Sequence, residues 1–258
     1  MRELSEIEAK GDPDFMTSLA RGLAVMRCFA DEKQPMTIAQ ASRLTNLSRP
    51  AVKRCLHTME RLGYVLRDGV HYQLRPKVLS LGYAYLSSST LASRAQPILD
   101  AIRDELHESC SLGVIEEDEV TYIARAEVSR IMSIALRVGS RLPLYCTSMG
   151  RILLAGRSRA EQDAYLARAP LDQRTETTIV HKASLIAELA RTAERGFAIV
   201  DQELEPGLRS IAVPVRRQGQ IVAALNIGTQ SSRTELAALY SSYLPTLRKA
   251  AQELESVL

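Results

Sequence analysis

Two predicted helices joined by a short turn, followed by a tight hairpin, occupy residues 37–74. Thr37 is expected to cap the first helix and Ser48 the second, in which Pro50 stands in the first turn, where its missing N–H costs nothing. Asp68-Gly69 separates two short strand patterns and favours a two-residue type I′ turn. Together these elements predict a winged helix-turn-helix.

The second helix is expected to have one apolar and one basic side. The apolar side is predicted from residues at helical spacing: Val52, Cys55, Leu56, Met59 and Leu62. Gly63 is expected to end the helix. A basic opposite side suits a helix that lies in the groove of a polyanion. The residues expected to contact a double-stranded DNA operator are Thr37, Ser48, Arg49, Pro50, Lys53, Arg54, His57 and Arg61.

The formal net charge of +3 belongs to the N-terminal part of the chain. Residues 1–75 hold 12 Lys and Arg against 9 Asp and Glu, whereas residues 76–258 hold 21 of each kind. Between Lys33 and Arg67, seven basic residues stand against the single acid Glu60. An ordinary solvated surface mixes charges, so this segregation favours DNA binding over a helix surface that is merely solvated. A winged helix that contacts another protein is the remaining alternative.

Length and composition are those of a globular protein with two modest domains. No run approaches the roughly 18 apolar residues that cross a bilayer, and the acidic N-terminus lacks the apolar segment of a secretory signal. We therefore predict a cytoplasmic protein without a membrane partner. The four cysteines, Cys28, Cys55, Cys110 and Cys146, lack metal or disulfide spacing and are expected to be reduced, mostly buried thiols.

Four segments are predicted along the chain: a flexible tail at 1–14, a winged helix-turn-helix domain at 15–75, a linker helix at 76–94 and an effector-binding domain at 95–258. The first helix, Phe15 to Ala30, is expected to bury Leu19, Leu23 or Ala24, Met26 and Phe29. The linker helix is expected to end near Leu86, before a serine-rich cluster, and Gln96-Pro97 to open the next helix.

The C-terminal part alternates strand and helix patterns. Six strands are predicted, at 111–116, 120–126, 131–138, 197–200, 210–215 and 221–227. Helices are predicted near 148–155, 159–167, 184–195 and 233–257. Strands with segregated helices indicate the α+β class.

Two longer motifs accompany the N-terminal pattern: GSRLPLYCTSMGRILLA at 139–155 and GFAIVDQELEPGLRSIAVPV at 196–215. With them, the chain resembles the IclR family of bacterial transcription regulators from about Met16 to its C-terminus. The opening DPDFMTSLARGLAVMRCF, together with VDQELEPGLRSIAVPV, resembles the branch that controls protocatechuate, 4-hydroxybenzoate and β-ketoadipate catabolism. The resemblance implies a linker helix, a GAF-like antiparallel-sheet domain that binds a small organic acid, and homodimers that can pair into tetramers on DNA.

An acid-binding pocket also follows from the residues themselves. Thr147-Ser148-Met149-Gly150 leads into an apolar helix, and amides at a helix N-terminus bind a carboxylate because they are free donors at the positive end of the helix dipole. Ser148 adds a hydroxyl, and Gly150 permits close approach of the chain. The alternative is an ordinary capped helix.

The other side of the pocket is expected to come from the second motif and the last strand. Family members commonly carry a cysteine where this chain has Ser210, which favours a plain hydrogen-bonding hydroxyl. Arg209 either binds a second carboxylate of the effector or pairs with Glu203 or Glu205. Asn226 points either into the pocket or to solvent. The predicted effector-binding residues are Thr147, Ser148, Met149, Gly150, Asp201, Glu203, Arg209, Ser210 and Asn226.

No dinucleotide-binding, P-loop, metalloprotease or nucleophile-elbow motif occurs in the sequence, so neither enzyme activity nor a cofactor is predicted. The histidines are scattered, and His107 with Cys110 lacks a second pair at matching spacing, so no metal site is predicted. The linker helix carries an apolar stripe of Leu79, Tyr83 and Leu86, which is expected to pair two chains unless it packs on the chain's own first helix.

The leading prediction is an effector-responsive transcription regulator of aromatic acid catabolism in the β-ketoadipate pathway. One alternative is a regulator of the same family that senses glyoxylate, pyruvate or a sugar acid. Others are an architectural DNA-binding dimer without a ligand and an enzyme fused to a DNA-binding module. An effect of a small acid on DNA affinity distinguishes the regulator from the architectural protein.

Overall fold

The computed structural model describes residues 12–31, 35–128 and 136–258. Internal contacts divide the chain into two compact units, one that ends at Tyr85 and one that begins at Leu86. The division falls within the segment 76–94, for which a linker was predicted. Each unit has its own hydrophobic core.

The N-terminal unit is a helix-turn-helix with a three-stranded antiparallel sheet in the order β1-β3-β2. Its elements are α1 (Thr17–Asp31), β1 (Met36–Thr37), α2 (Ile38–Thr45), α3 (Arg49–Arg61), β2 (Val65–Asp68), β3 (His71–Leu74) and a 3-10 turn (Pro76–Val78), and α4 (Leu79–Ser88) crosses the division. The short strand β1 was not predicted from the sequence.

Side-chain caps define the ends of α2 and α3. The Thr37 hydroxyl accepts the Gln40 N–H at 3.3 Å, and the Gln40 side chain accepts the Thr37 N–H at 2.8 Å, which makes a capping box. The Ser48 hydroxyl accepts the Ala51 N–H at 3.4 Å. Gly63 follows α3 with φ +80°, a left-handed conformation that glycine adopts without strain. The predicted caps and the helix end are thus confirmed.

The buried face of α1 agrees with the prediction at Met26 and Phe29, which pack against the N-terminal core, and differs from it elsewhere. Leu19 and Leu23 are exposed, whereas Val25 and Cys28 are buried. Apolar residues occupy both sides of this helix, so helical spacing alone did not distinguish them. Leu62 was also expected to lie inward, but it is exposed because it lies at the C-cap, where α3 ends.

The hairpin turn lies one residue later than predicted. Asp68 pairs with His71, so the loop consists of Gly69 and Val70. Gly69 has φ +58°, and Val70 is not among the residues with positive φ. This pattern is typical of a type II′ turn, because a type I′ turn at Gly69-Val70 would place a strained positive φ on the β-branched Val70.

The C-terminal unit is built on one six-stranded antiparallel sheet in the order β6-β5-β4-β9-β8-β7. Its strands are β4 (Ser109–Glu116), β5 (Glu119–Ala126), β6 (Arg141–Pro143), β7 (Ala198–Asp201), β8 (Leu208–Arg217) and β9 (Gln220–Gln230). Its helices are α5 (Thr90–Leu106), α6 (Ser148–Ala155), α7 (Arg159–Arg168), α8 (Lys182–Arg195), α9 (Leu236–Ala238) and α10 (Leu244–Ser256), with a π-helical turn (Leu239–Tyr243) before α10. This architecture confirms the predicted α+β class.

The two faces of this sheet carry separate apolar cores because side chains alternate along each strand. On one face, α5 packs on β4 and β5, and α10 packs on β8. On the other, α6 packs on β8 and β9, and α8 packs on α6. No helix in the described ranges is both long and apolar enough to cross a lipid bilayer.

Most of the predicted third strand, 131–138, cannot be compared with the structure, and only its last three residues are described. Residues 131–135 lie outside the described part, and residues 136–140 form no strand. Gly139 turns the chain with φ +88° and donates its N–H to the Tyr122 carbonyl at 2.8 Å. The strand that follows this turn is β6, which pairs with the start of β5.

The helix α5 begins at Thr90 rather than at the predicted Gln96-Pro97. The Ser89 hydroxyl accepts the Ala92 N–H at 3.3 Å and caps it there. Pro97 consequently lies inside the helix, where it removes one hydrogen bond without ending the helix.

Candidate functional site

A basic surface lies on α3 of the helix-turn-helix. Val52, Leu56 and Met59 are buried on one side of this helix. The other side is exposed and carries Arg49, Pro50, Lys53, Arg54, His57 and Arg61. At 3.6 residues per turn, these six residues span an arc of about 140°. Ser48 is exposed beside them, whereas Thr37 is half-buried and its side chain forms the α2 capping box.

A cavity of about 760 Å³ lies between the sheet and the N-terminus of α6. Strand pairing places two rows of residues side by side beneath it. One row is Arg125, Ser111 and Asn226, and the next is Ser109, Gly228 and Ser210. Larger side chains that line the cavity are Tyr122, Leu136, Leu142, Met149 and Leu204. The cavity therefore combines apolar walls with a polar floor.

The N-terminus of α6 opens onto this cavity. The Thr147 hydroxyl accepts the Gly150 N–H at 3.2 Å and donates to the Pro143 carbonyl at 2.7 Å. Ser148 and Met149 line the cavity at the first turn, where amide N–H groups have no acceptor within the helix. The Ser148 hydroxyl is buried without a hydrogen-bond partner among the described residues. The segment is thus a capped helix that also presents polar groups to the cavity.

Two further predicted residues line the cavity from the sheet. Ser210 on β8 and Asn226 on β9 are both buried. No described residue forms a hydrogen bond with Oδ1 of Asn226. Of the two orientations left open by the sequence, Asn226 therefore adopts the inward one.

Arg125 on β5 is a cavity residue that the sequence analysis missed. Its side chain is 11% exposed, and its Nη1 donates to the Ser111 hydroxyl at 2.9 Å. Nη2 lies 3.8 Å from Oε1 of Glu127. Nε is buried and has no partner in the described part of the chain. Arg125 thus brings a positive charge to the cavity wall.

An irregularity in β5 aims Arg125 at the cavity. Two successive residues of β4 pair with Ala124 and Tyr122, which leaves Ile123 as an extra residue. This β-bulge shifts the alternation of side chains, so Tyr122 and Arg125 both line the cavity. Strict alternation would put them on opposite faces. The available signal was a single charge in the apolar strand segment YIARA.

Gly150, in the first turn of α6, faces Leu144 and does not line the cavity. A Cβ at this position would clash with backbone, because it would lie 2.1 Å from the Leu144 carbonyl oxygen and 2.4 Å from its Cα. The predicted close approach of the chain is therefore present, but it is made by Leu144.

Three more predicted residues engage in ion pairs away from the cavity wall. Arg209 forms a bidentate pair with Asp201, through Nε at 2.8 Å and Nη2 at 3.0 Å. Glu203 pairs with Arg151. Arg209 thus meets a neighbouring carboxylate, but that carboxylate is Asp201 and not Glu203 or Glu205.

Burial moves the titration of two cavity residues further above physiological pH, where both are neutral. It raises the pKa of the Cys146 thiol to about 11 and the pKa of the Tyr122 phenol to about 12. Arg233, whose side chain is partly exposed, lies 3.6 Å from the Glu108 carboxylate. Arg125 is consequently the buried cation of the described cavity lining.

Cys28, Cys110 and Cys146 are buried, as predicted, and Cys55 is half-buried. Cys110 donates its S–H to the Leu99 carbonyl at 3.1 Å. Within residues 12–31, 35–128 and 136–258, no three His, Cys, Asp or Glu side chains gather closely enough to hold a metal ion.

Comparison with known proteins shows to which family the chain belongs. The chain matches the IclR helix-turn-helix domain over residues 18–69 and the bacterial transcriptional regulator IclR C-terminal domain over residues 83–256. It is 52% identical over 246 residues to the Pca regulon regulatory protein of Pseudomonas putida, covering 95% of this chain and 84% of that protein.

Solved structures give the same result. A putative transcriptional regulator from Rhodococcus sp. RHA1 is similar with a TM-score of 0.83 and 44% identity, covering 94% of this chain and 98% of that one. An IclR homolog complexed with 4-hydroxybenzoate, from Microbacterium hydrocarbonoxydans, is similar with a TM-score of 0.78 and 25% identity. The match covers 93% of this chain and 98% of that one. The chain therefore belongs to the IclR family of bacterial transcriptional regulators.

Proposed function

We propose that the protein is an effector-responsive, DNA-binding transcription regulator of aromatic acid catabolism. The cavity carries this proposal, because Ser148 Oγ, Asn226 Oδ1 and Arg125 Nε are buried in its wall without partners among the described residues. Buried polar atoms without hydrogen bonds cost free energy, which a polar ligand would recover. An architectural protein without a ligand offers no reason for such a wall.

The relatives support an aromatic acid as the effector. The Pseudomonas putida relative is a Pca regulon regulatory protein, and one similar structure is a complex with 4-hydroxybenzoate. The cavity has matching chemistry, since Tyr122 and Met149 offer apolar surface to a ring. The first-turn amides of α6 and the Ser210 hydroxyl offer hydrogen bonds to its substituents.

We propose that the basic face of α3 binds DNA and that two chains bind the DNA together as a dimer. A single helix-turn-helix reads a short half-site, and specificity rises when a dimer holds two copies at fixed spacing. Leu79 and Tyr83 on α4 are 74% and 70% exposed, so neither is buried against α1. Their exposure supports α4 as a pairing surface, while the side chain of Leu86 lies outside the described part.

Calorimetry on the full chain tests the effector. We expect 4-hydroxybenzoate, protocatechuate or β-ketoadipate to bind, and the bound acid to change the affinity for an operator selected in vitro by about 5- to 150-fold. Ser148→Leu should abolish acid binding and leave ligand-free DNA affinity near normal, and Ser256→Leu at an exposed site should change neither. A heat of binding that is observed only with glyoxylate, pyruvate or a sugar acid would contradict the proposal that the effector is an aromatic acid or β-ketoadipate. No heat with any organic acid would contradict the effector itself.

A further inference from the structure

We infer that the Arg125 guanidinium binds a carboxylate of the effector, while the N-terminus of α6 holds a second polar group at the other end of the same molecule. This inference rests on the proposed function and specifies the ligand class of its cavity. It makes Arg125 the residue that distinguishes acids from neutral analogues.

The bonding state of Arg125 is the first argument. Among the described residues, its one close partner is the uncharged Ser111 hydroxyl, and the Glu127 carboxylate lies 3.8 Å away with its side chain partly exposed. A buried guanidinium is costly without a close, well-oriented anion. Nε is free of partners among the described residues, and a carboxylate at that edge could accept from Nε and an Nη together. Nε and an Nη of Arg125 therefore present the donor geometry that a carboxylate accepts.

The position of α6 is the second argument. A Cβ on Gly113 would lie 2.9 Å from Sδ of Met149, so Met149 lies directly over Gly113. Gly113 follows Ser111 by two residues on the same face of β4, which corresponds to about 7 Å along the strand. Ser111 is the hydroxyl partner of Arg125. The start of α6 and the row formed by Arg125, Ser111 and Asn226 therefore border one cavity from two directions. The distance between these two borders is about the length of a small acid.

Both borders attract electron-rich groups. Arg125 does so by charge, and the α6 terminus does so by its first-turn amides and by the unpartnered Ser148 hydroxyl. A ligand that satisfies both carries a carboxylate at one end and a hydroxyl or a second carboxylate at the other. Benzoate satisfies only one of the two. The chemical class is thus a two-ended acid, either a hydroxybenzoate or a dicarboxylate.

Calorimetric titration of the full chain with four probes tests this inference: 4-hydroxybenzoate, β-ketoadipate, benzoate and 4-hydroxybenzamide. Arg125→Met should weaken binding of the preferred acid by about tenfold or more and change the affinity for the amide by less than about threefold. Arg125→Lys keeps the charge but loses the planar fork, and it should bind the acid with intermediate affinity. Benzoate should bind the wild type at least about tenfold more weakly than the preferred acid.

Arg141→Met is the matched control. Arg141 lies on the same sheet, pairs with Glu117 and Glu119, and does not line the cavity. The Arg141→Met variant should leave the ratio of acid affinity to amide affinity unchanged. Melting temperatures of the ligand-free variants report folding, and Arg125→Lys carries the test if Arg125→Met does not fold.

The outcomes separate the role of Arg125 from the existence of an effector. Equal losses of acid and amide affinity in Arg125→Met would make Arg125 a support of the fold and overturn the inference, as would an unchanged preference for the acid. Benzoate that binds as tightly as the two-ended acids would overturn the second anchor. If the wild type binds an acid, the proposed function stands whatever the Arg125 variants do. If it binds none, both proposals fail.

Discussion

Nη2 of Arg151 donates to Oε2 of Glu203 at 2.5 Å, and both side chains are buried. Nε of Arg151 also donates to the Tyr145 carbonyl at 3.2 Å, and Glu203 accepts the Ile179 N–H at 3.2 Å. The pair joins α6 to the segment that follows β7, in which Leu204 lines the cavity. Two sides of the cavity are thereby fixed to each other.

Glu203→Gln should lower the free energy of unfolding by about 3–5 kcal/mol, because it leaves Arg151 as an uncompensated buried charge. Urea unfolding measures this loss. Glu205→Gln changes an exposed neighbour and should stay within about 0.5 kcal/mol of wild type. Equal effects of the two variants would show that the buried pair contributes no more than a surface charge.

Gly150→Ala should lower stability by about 2 kcal/mol or more, because its methyl group would meet the backbone of Leu144, which cannot move away as a side chain can. Gly22→Ala is the control. Nothing lies within 4 Å of a Cβ at Gly22 in the middle of α1, so alanine there should stabilise by about 0.5–1 kcal/mol. If thermal unfolding showed that both variants change stability in the same direction, the close contact between Gly150 and Leu144 would be refuted.

Arg49→Ala or Lys53→Ala should weaken operator binding, since both residues lie on the exposed face of α3. A bidentate contact to a base edge predicts a loss of about 1–3 kcal/mol and relaxed preference at one base pair. A phosphate contact predicts a similar loss on all sequences and a shallower salt dependence. Lys249→Ala, an exposed position on α10, is the control for general charge. If fluorescence anisotropy showed that both α3 variants bind the operator with wild-type affinity, this helix would be excluded from the DNA interface.

Leu79→Asp combined with Tyr83→Asp should give monomers, because two charges would interrupt the apolar stripe of α4. Light scattering at micromolar concentration checks the mass of wild type and variant. Leu66→Asp, at an exposed leucine of the wing, should leave the mass of the wild-type assembly unchanged. A monomeric wild type would exclude the pairing surface altogether.

Stability should fall as the pH rises above 9. Burial raises the pKa of the Cys110 and Cys146 thiols from 9.0 to about 12 and about 11, so the unfolded chain loses these protons first. The contribution of Cys146 is complete below pH 9 and is lost by about pH 11, a change of roughly 2–3 kcal/mol. Cys146→Ala should flatten the decline measured by urea unfolding across this range. An unchanged slope would contradict the assignment to Cys146.

Features that depend on residues within one helical turn were predictable from the sequence. Thr37 and Ser48 cap the helices they were expected to cap, and α6 has the predicted bounds. The cap at Thr147 and the exposed basic face of α3 follow from equally local patterns. Each is settled by a hydrogen bond or a spacing that the neighbouring residues already specify.

Features that depend on distant partners were not predictable in this way. Leu19 and Val25 are both apolar on α1, and only packing against the rest of the unit decides which is buried. Arg209 had several acidic neighbours in sequence, and strand pairing of β7 with β8 selects Asp201. Arg125 required knowledge of the irregular pairing between β4 and β5. In each case the deciding contact is made across the fold.

The extra residue Ile123 also affects how related chains can be compared. Because the bulge absorbs one residue, Tyr122 and Arg125 face the cavity with two residues between them. A relative with a regular strand would present the same two side chains with one residue between them. An alignment without a gap at Ile123 would then match Arg125 to a residue on the opposite face. Ligand preference across the family is therefore better traced by the face on which a side chain lies than by its column in an alignment.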